Sequence, residues 1–321
     1  MTNFARNTKI GGLLEWDKAN PGNAVRALFD RWCFPGHTPD GKRMLRLCVR
    51  DGYLNFYARG QSVAKLNCLQ SGASATIASA YLEGVEKPPH RTGGRGNQTL
   101  SKEMLADLET VERVDVWIRT ALTYAGAEKS FVDDLMARHP NAIDLEMGLP
   151  KHRSTMDLVI AQEGDDGLEI AFWEVKTAAN SELRRKEGDA KVVCQVRKYQ
   201  DWVNSPGNEE AVQAACRSTA SILLRLYEHF IPATEDPPEC VAHWRRLADE
   251  SPQIVKSLGV VICDYFPTGA DDVTKRNKIE NGHKSFGPHR KKLDDLGIAI
   301  HQVTSSEEAI LPLLRAPEAT A

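Results

Sequence analysis

No apolar run in this chain approaches the roughly 20 residues a membrane-spanning helix needs, which excludes a helical span. The amino terminus, MTNFARNTKIGGLLEWDK, lacks the apolar stretch of about 7–15 residues found in secretory signals, so we expect a cytoplasmic protein. CxxC pairs are missing. The seven cysteines, at positions 33, 48, 68, 194, 216, 240 and 263, are scattered, and an odd count leaves one unpaired in any disulfide scheme. Reduced, mostly buried thiols are therefore expected, and a structural zinc of the paired-cysteine kind is disfavoured. The nine histidines are equally dispersed and HExxH does not occur. There is no internal repeat and no low-complexity tract. What remains is an ordinary globular composition, 41% hydrophobic and 26% charged, in 321 residues, which is more than one compact core usually needs.

The net charge of −3 conceals an asymmetry. Residues 1–100 carry 14 Lys and Arg against 7 Asp and Glu, while the rest carry 27 against 37. A basic N-terminal third suits a polyanionic partner, although a solvated basic face is the commoner use of such charge. Within it, residues 44–69 alternate apolar and polar positions and are broken at Asp51-Gly52 and Arg59-Gly60, which predicts a three-stranded meander. A short helix is expected over 73–83. Residues 84–101, with Pro88, Pro89 and four glycines, resist regular structure, and the domain boundary is placed there.

Ser101 is a candidate N-cap for one long helix carrying Met104, Leu105, Leu108, Val111, Trp117, Ile118 and Leu122. A second helix, AEKSFVDDLMARH, sets Phe131, Val132, Leu135 and Met136 on one side. Three strand candidates follow, AIDLEMGL, STMDLVIAQ and GLEIAFWEVKTA. Helical patterns come next near 190–203, 209–230 and 239–249, and then the strands LGVVICDYF and GIAIHQV. This is an α/β order, with a helical insertion near 205–256.

The stretch that carries chemistry is STMDLVIAQEGDDGLEIAFWEVKTAA, residues 154–179. Two apolar runs flank EGDDG, which predicts a hairpin turning at Asp165-Asp166. If Gly164 pairs with Gly167, antiparallel register sets Asp157 opposite Glu174 on one face. The strand's period of two adds Lys176 to that face, about 7 Å further along. Opposed carboxylates between apolar strands repel and are poorly solvated, a conflict that a divalent cation resolves. Magnesium prefers a few carboxylate oxygens together with water and phosphate oxygens, so Asp157 and Glu174 are candidate ligands that leave positions open. An acid followed two residues later by lysine is common, and usually a solvated pair; here its weight comes from the apolar strands and the opposed aspartate.

These residues resemble the PD-(D/E)XK nuclease superfamily, the restriction-endonuclease-like fold, over roughly Ala127 to Tyr199 and the two later strands. In that family a helix, a three-stranded meander, a second helix and a further strand carry an acid on strand two and (D/E)xK on strand three. The resemblance implies Asp157 and Glu174 as metal ligands and Lys176 as the catalytic lysine. Met156 stands where the family name has proline. Many members place a glutamate on the first helix, where Glu128 fits; its alternative reading is a first-turn acid that favours the helix dipole. Some members place a glutamine and a tyrosine one turn apart after strand three, and Gln195 and Tyr199 match, with packing as the other reading of Tyr199.

Two basic stretches are candidate phosphate contacts. HRTGGRGN offers Arg91 and Arg95 beside glycines, with a flexible linker as the alternative; it is not a Walker sequence, because no GK[ST] follows. Residues 273–292 concentrate Lys275, Arg276, Lys278, Lys284, Arg290, Lys291 and Lys292, which fits either nucleic-acid backbone contact or a solvated charge run.

The expectation is thus a smaller strand-rich N-terminal module, residues 1–100, joined to a restriction-endonuclease-like domain, residues 101–321, in which helices flank a mixed central sheet. Its implied activity is Mg²⁺-dependent phosphodiester hydrolysis, with Mn²⁺ as a substitute ion, most readily on DNA and in defence against foreign DNA or in repair. The alternative is a catalytically inactive nucleic-acid-binding or assembly protein that keeps the fold. A homodimer is a further expectation from the resemblance, and the N-terminal module, which lies outside it, is expected to recognise substrate or a partner protein.

Overall fold

The computed structural model describes residues 6–84, 96–148, 155–184, 188–233, 236–267, 280–282 and 286–315. It is an α/β protein built on two open five-stranded sheets. The first is an antiparallel meander in chain order: β1 (Arg46–Val49), β2 (Tyr53–Ala58), β3 (Gln61–Leu69), β4 (Gly72–Ala78) and β5 (Asn97–Leu100). One face buries Leu54, Phe56, Leu66, Ala75, Ile77 and Leu100 beneath short helices. Those helices are α1 (Gly11–Ala19), α2 (Ala24–Phe29), α3 (Ser79–Leu82), α4 (Lys102–Ala106), α5 (Leu108–Glu112) and α6 (Val114–Leu122).

Two local expectations are corrected here. The helix expected over 73–83 is mostly strand: Ala73, Ala75 and Ile77 are buried while Ser74 and Thr76 alternate with them, and only one helical turn follows. Alanine-rich composition masked a period of two. The long helix from Ser101 is three short ones. Ser101 does cap the first, accepting from the Met104 amide at 3.4 Å, but Asp107 then adopts extended backbone and caps a second helix through the Glu109 amide at 3.1 Å. Strand β5 and helices α4 to α6 pack with the first sheet, so its packing continues beyond residue 100.

The second sheet follows α7 (Ala127–Arg138). Its strands are β6 (Ala142–Gly148), β7 (Thr155–Gly164), β8 (Gly167–Thr177), β9 (Gln253–Cys263) and β10 (Ile300–Val303), neighbours in that order. The pairs β6/β7 and β7/β8 are antiparallel, whereas β8/β9 and β9/β10 are parallel. Strand β9 starts five residues before the expected Leu258, because Gln253 and Ile254 already pair with Glu169 and Ile170. Between β8 and β9 come α8 (Lys191–Val203), α9 (Asn208–Phe230) and α10 (Glu239–Asp249), and α11 (Gly287–Asp294) precedes β10. Helix α7 covers one face, with Phe131, Leu135 and Met136 against Ile160, Trp173 and Val175. The other face packs Val159, Phe172 and Val260 against Val196 and Tyr199 of α8 and Leu223 of α9. The sheet is therefore buried on both sides, as parallel pairs require.

Buried charges and aromatic rings join the two sheets. Arg46 on β1 donates to Asp133 on α7 at 2.6 Å, and Arg50 donates to Asp144 on β6 at 2.6 Å, with Arg6 on the same carboxylate at 3.5 Å. The insertion reaches back to the N-terminal helices: Phe230 stacks on Phe29 at 3.6 Å and Trp244 on Trp32 at 5.8 Å. Gly60, in the β2–β3 turn with φ +63°, is where the first sheet touches α7, since a Cβ there would lie 2.8 Å from Lys129. All seven cysteines are free thiols, and only Cys194 is exposed. Among the described residues no helix is long and apolar enough to cross a membrane.

Candidate active site

The β7–β8 hairpin turns where the sequence predicts. Gly164 pairs with Gly167 and the ladder runs to Leu158 opposite Trp173, which sets Asp157 opposite Glu174 one step further on. Asp157, Val159 and Ala161 then share a face of β7, and Phe172, Glu174 and Lys176 a face of β8, on the side covered by α8. Three of the five residues expected to be catalytic meet at once. The Lys176 amine donates to Glu174 Oε1 at 2.5 Å, and Gln195 Nε2 on α8 donates to the same oxygen at 2.8 Å. Gln195 reaches it because Val192 and Tyr199, three residues before and four after it, share its face and seat α8 on the sheet.

Asp157 is held differently. Its Oδ2 accepts the backbone amide of Val175 at 2.8 Å, across the ladder. Burial, and after it the charge of Glu174, push its carboxyl up to about 8 from an ordinary 3.8. Burial likewise raises Glu174. For Lys176 burial opposes the charge, but the surrounding carboxylates, Glu174 foremost, outweigh it and hold the amine above its ordinary pKa as an ammonium. The second oxygen of Glu174, Oε2, is buried with no hydrogen-bond partner. A buried acceptor without a donor is costly, on the order of 1–3 kcal/mol.

Glu128, at the start of α7, stands at the margin. It is about one third exposed, its Oε1 lies 4.0 Å from the Lys176 amine, and its Oε2 accepts from Asn180 at 2.8 Å. It faces the site from the first turn of α7. Sequence reasoning missed Glu182. It sits on a 3₁₀ turn, Ser181–Leu183, where Asn180 accepts the Glu182 amide, and its Oε2 approaches Lys176 at 3.5 Å while Oε1 pairs with Lys191. The Asn180 cap signals the turn; nothing in the spacing signals the carboxylate. Tyr199 is a packing residue: it is 1% exposed, donates to the Val255 carbonyl at 3.1 Å, and lies against Phe172.

Of the residues expected to contact nucleic acid, Arg91, Arg95, Lys275, Arg276, Lys278 and Lys284 lie outside the described residues. Arg290, Lys291 and Lys292 are on α11, where Arg290 donates to Gln302 Oε1 at 2.6 Å and the two lysines are exposed. Burial, then Arg184 and Lys292, lower the pKa of His289 on the same helix. Arg184 also donates to the Gly282 carbonyl at 2.7 Å. Among the described residues no group of three or more His, Cys, Asp or Glu side chains is disposed to hold a metal ion. The chemistry available is two opposed carboxylates, one with a free lone-pair oxygen, beside a fixed ammonium.

Comparison with protein-family models, with curated proteins and with solved structures returned no match.

Proposed function

We propose that this chain hydrolyses phosphodiester bonds, most readily in DNA, with Asp157 and Glu174 holding a magnesium ion and Lys176 serving the reaction as an ammonium. One observation carries the proposal: Glu174 is 2% exposed, its Oε1 is fixed by Lys176 and Gln195, and its Oε2 has no donor while Asp157 stands opposite. Two carboxylates opposed in register fit a hard cation that keeps water and phosphate oxygens in its other positions, and Mn²⁺ suits the same oxygens. When bound, the ion polarises the phosphoryl group and lowers the pKa of a coordinated water. The protein's own part is positional. Gln195 orients Glu174, the Val175 amide orients Asp157, and Lys176 directs positive charge to where the phosphorane charge develops.

The element order α7, β6, β7, β8, α8, then β9, with the acid on the second strand and Glu-x-Lys on the third, supports a restriction-endonuclease-like core. A cytoplasmic role in defence against foreign DNA or in repair follows from that reading. A second reading also has an observation in its favour: Lys176 is 4% exposed and Glu174 2%, which suits a structural ion pair in a catalytically inactive nucleic-acid-binding or assembly protein. Incubation with linear, circular and branched DNA and with RNA, in Mg²⁺ or EDTA, separates the two. The catalytic reading expects Mg²⁺-dependent cleavage that falls about 100-fold or more in Lys176→Ala. Binding without cleavage, or equal cleavage by Lys176→Ala, overturns it.

A further inference from the structure

The first sheet has a second face, part of which no described helix covers. Tyr53, Lys65, Asn67, Ser74 and Thr76 alternate outward along β2, β3 and β4, with the buried Asn55 on the same face, opposite Leu54, Phe56 and Leu66. Where this polar face meets the edge of the second sheet there is a cavity of about 440 Å³, lined by Tyr53, Asn55 and Lys65 on one side and by Glu146 and Thr155 on the other. That volume falls within the roughly 300–1,000 Å³ usual for small-ligand sites, enough for a single nucleotide.

The cavity borders the candidate active site along two elements. Thr155 is two residues before Asp157 on the same face of β7, about 7 Å along the strand. Glu146 forms an ion pair with the amine of Lys129 at 3.4 Å, and Lys129 follows Glu128, whose Oε1 is 4.0 Å from Lys176. The wall is also stiff. Glu146 has φ +51°, a region disfavoured for residues with a Cβ, and Arg50, anchored on Asp144, donates to the Leu145 carbonyl just before it.

The lining chemistry is specific. The Lys65 amine lies 6.0 Å from the centroid of the half-buried Tyr53 ring, which joins an aromatic platform to an exposed cation. Asn55 adds an amide, with Oδ1 accepting from Ser62 at 2.8 Å and its NH₂ group able to donate. Arg6 and Arg50 also line the cavity but are buried and paired with Asp144, and Asp51 and Glu146 repel phosphate, so an entering strand turns its phosphate towards the exposed Lys65. A stacking surface, an exposed cation and an amide donor are what a single unpaired nucleotide requires.

We propose that this cavity holds an unpaired nucleotide flanking the scissile phosphodiester, its base on Tyr53 and its phosphate at Lys65, so that the substrate is nucleic acid with a single-stranded segment at the cut. The inference rests on the phosphodiesterase reading but is tested without catalysis. Duplexes with a short overhang carrying 2-aminopurine next to the junction are titrated with the protein in EDTA, with a blunt duplex alongside. Wild type binds the overhang duplex more tightly than the blunt one and changes the 2-aminopurine emission. Tyr53→Ala brings the two duplexes to equal affinity, a loss of about tenfold for the overhang, and abolishes the emission change, while Tyr53→Phe, which keeps the ring, retains both. Lys65→Gln lowers the salt slope of overhang binding by about one phosphate contact. Equal affinity for both duplexes in wild type, or an emission change that survives Tyr53→Ala, overturns the proposal. Overhang binding of this kind without cleavage in Mg²⁺ would refute the catalytic reading alone, and cleavage indifferent to an overhang would refute this inference alone.

Discussion

Replacing Asp157 by asparagine should make the metal-free protein more stable, not less. In the fold its carboxyl is pushed up to about 8, by burial first and Glu174 second, whereas the unfolded chain keeps a value near 3.8. Between those values the unfolded state has released a proton that the folded state retains, so stability falls as the pH rises through this window. At pH 7 about three pKa units separate the solution from the unfolded value, or about 4 kcal/mol at 1.36 kcal/mol per unit. The side chain is partly exposed, and solvent screening reduces this to about 2 kcal/mol. An asparagine at this position carries no charge to neutralise, and its carbonyl oxygen can still accept the Val175 amide. Urea unfolding in EDTA should therefore give Asp157→Asn about 2 kcal/mol over wild type at pH 7, and less than about 1 kcal/mol at pH 5. Added Mg²⁺ should stabilise wild type and leave the variant unmoved. An Asp157→Asn protein that unfolds at the same or lower urea in EDTA at pH 7 refutes the picture of an electrostatically strained site.

Two further outcomes concern the frame that holds the site. Asp144→Ala removes the carboxylate shared by the buried Arg50 and Arg6, and because Arg50 keeps the Val49 and Leu145 carbonyls the cost sits at the low end of the usual range, about 3 kcal/mol by urea unfolding. His139 is buried as the neutral ring, Nδ1–H donating to the Leu135 carbonyl at 2.7 Å and Nε2 accepting from the Leu311 amide at 2.9 Å. Burial lowers its pKa below the ordinary 6.5, so the unfolded chain takes up a proton first and stability drops as the pH falls below about 6.5; the slope should flatten in His139→Gln.

The hairpin register was legible in the sequence because two glycines bracket a tight turn and a strand's period leaves no freedom once that turn is placed. That alone put Asp157, Glu174 and Lys176 together, whereas Gln195 came only from the resemblance to the nuclease superfamily. Glu182 was not legible: its turn is a local structure, but its approach to Lys176 is set by how the chain leaves β8. Strand β4 was misread because its alanines suit a helix by propensity, while pairing with β3 and β5 decided otherwise. The break at Asp107 was missed because an aspartate inside an apolar periodicity looks like a surface residue until its side chain is seen capping the next turn. The ties between the sheets, Arg46 to Asp133 and Arg50 to Asp144, join residues 87 and 94 positions apart, beyond the reach of any local pattern.

The most direct measurement is a calorimetric titration of the purified protein with Mg²⁺, beside Glu174→Gln. One ion per chain bound by wild type, with the heat abolished in Glu174→Gln, is the predicted result. No heat in wild type, or an unchanged isotherm when that glutamate is neutralised, would contradict the claim that Asp157 and Glu174 form a cation-binding pair.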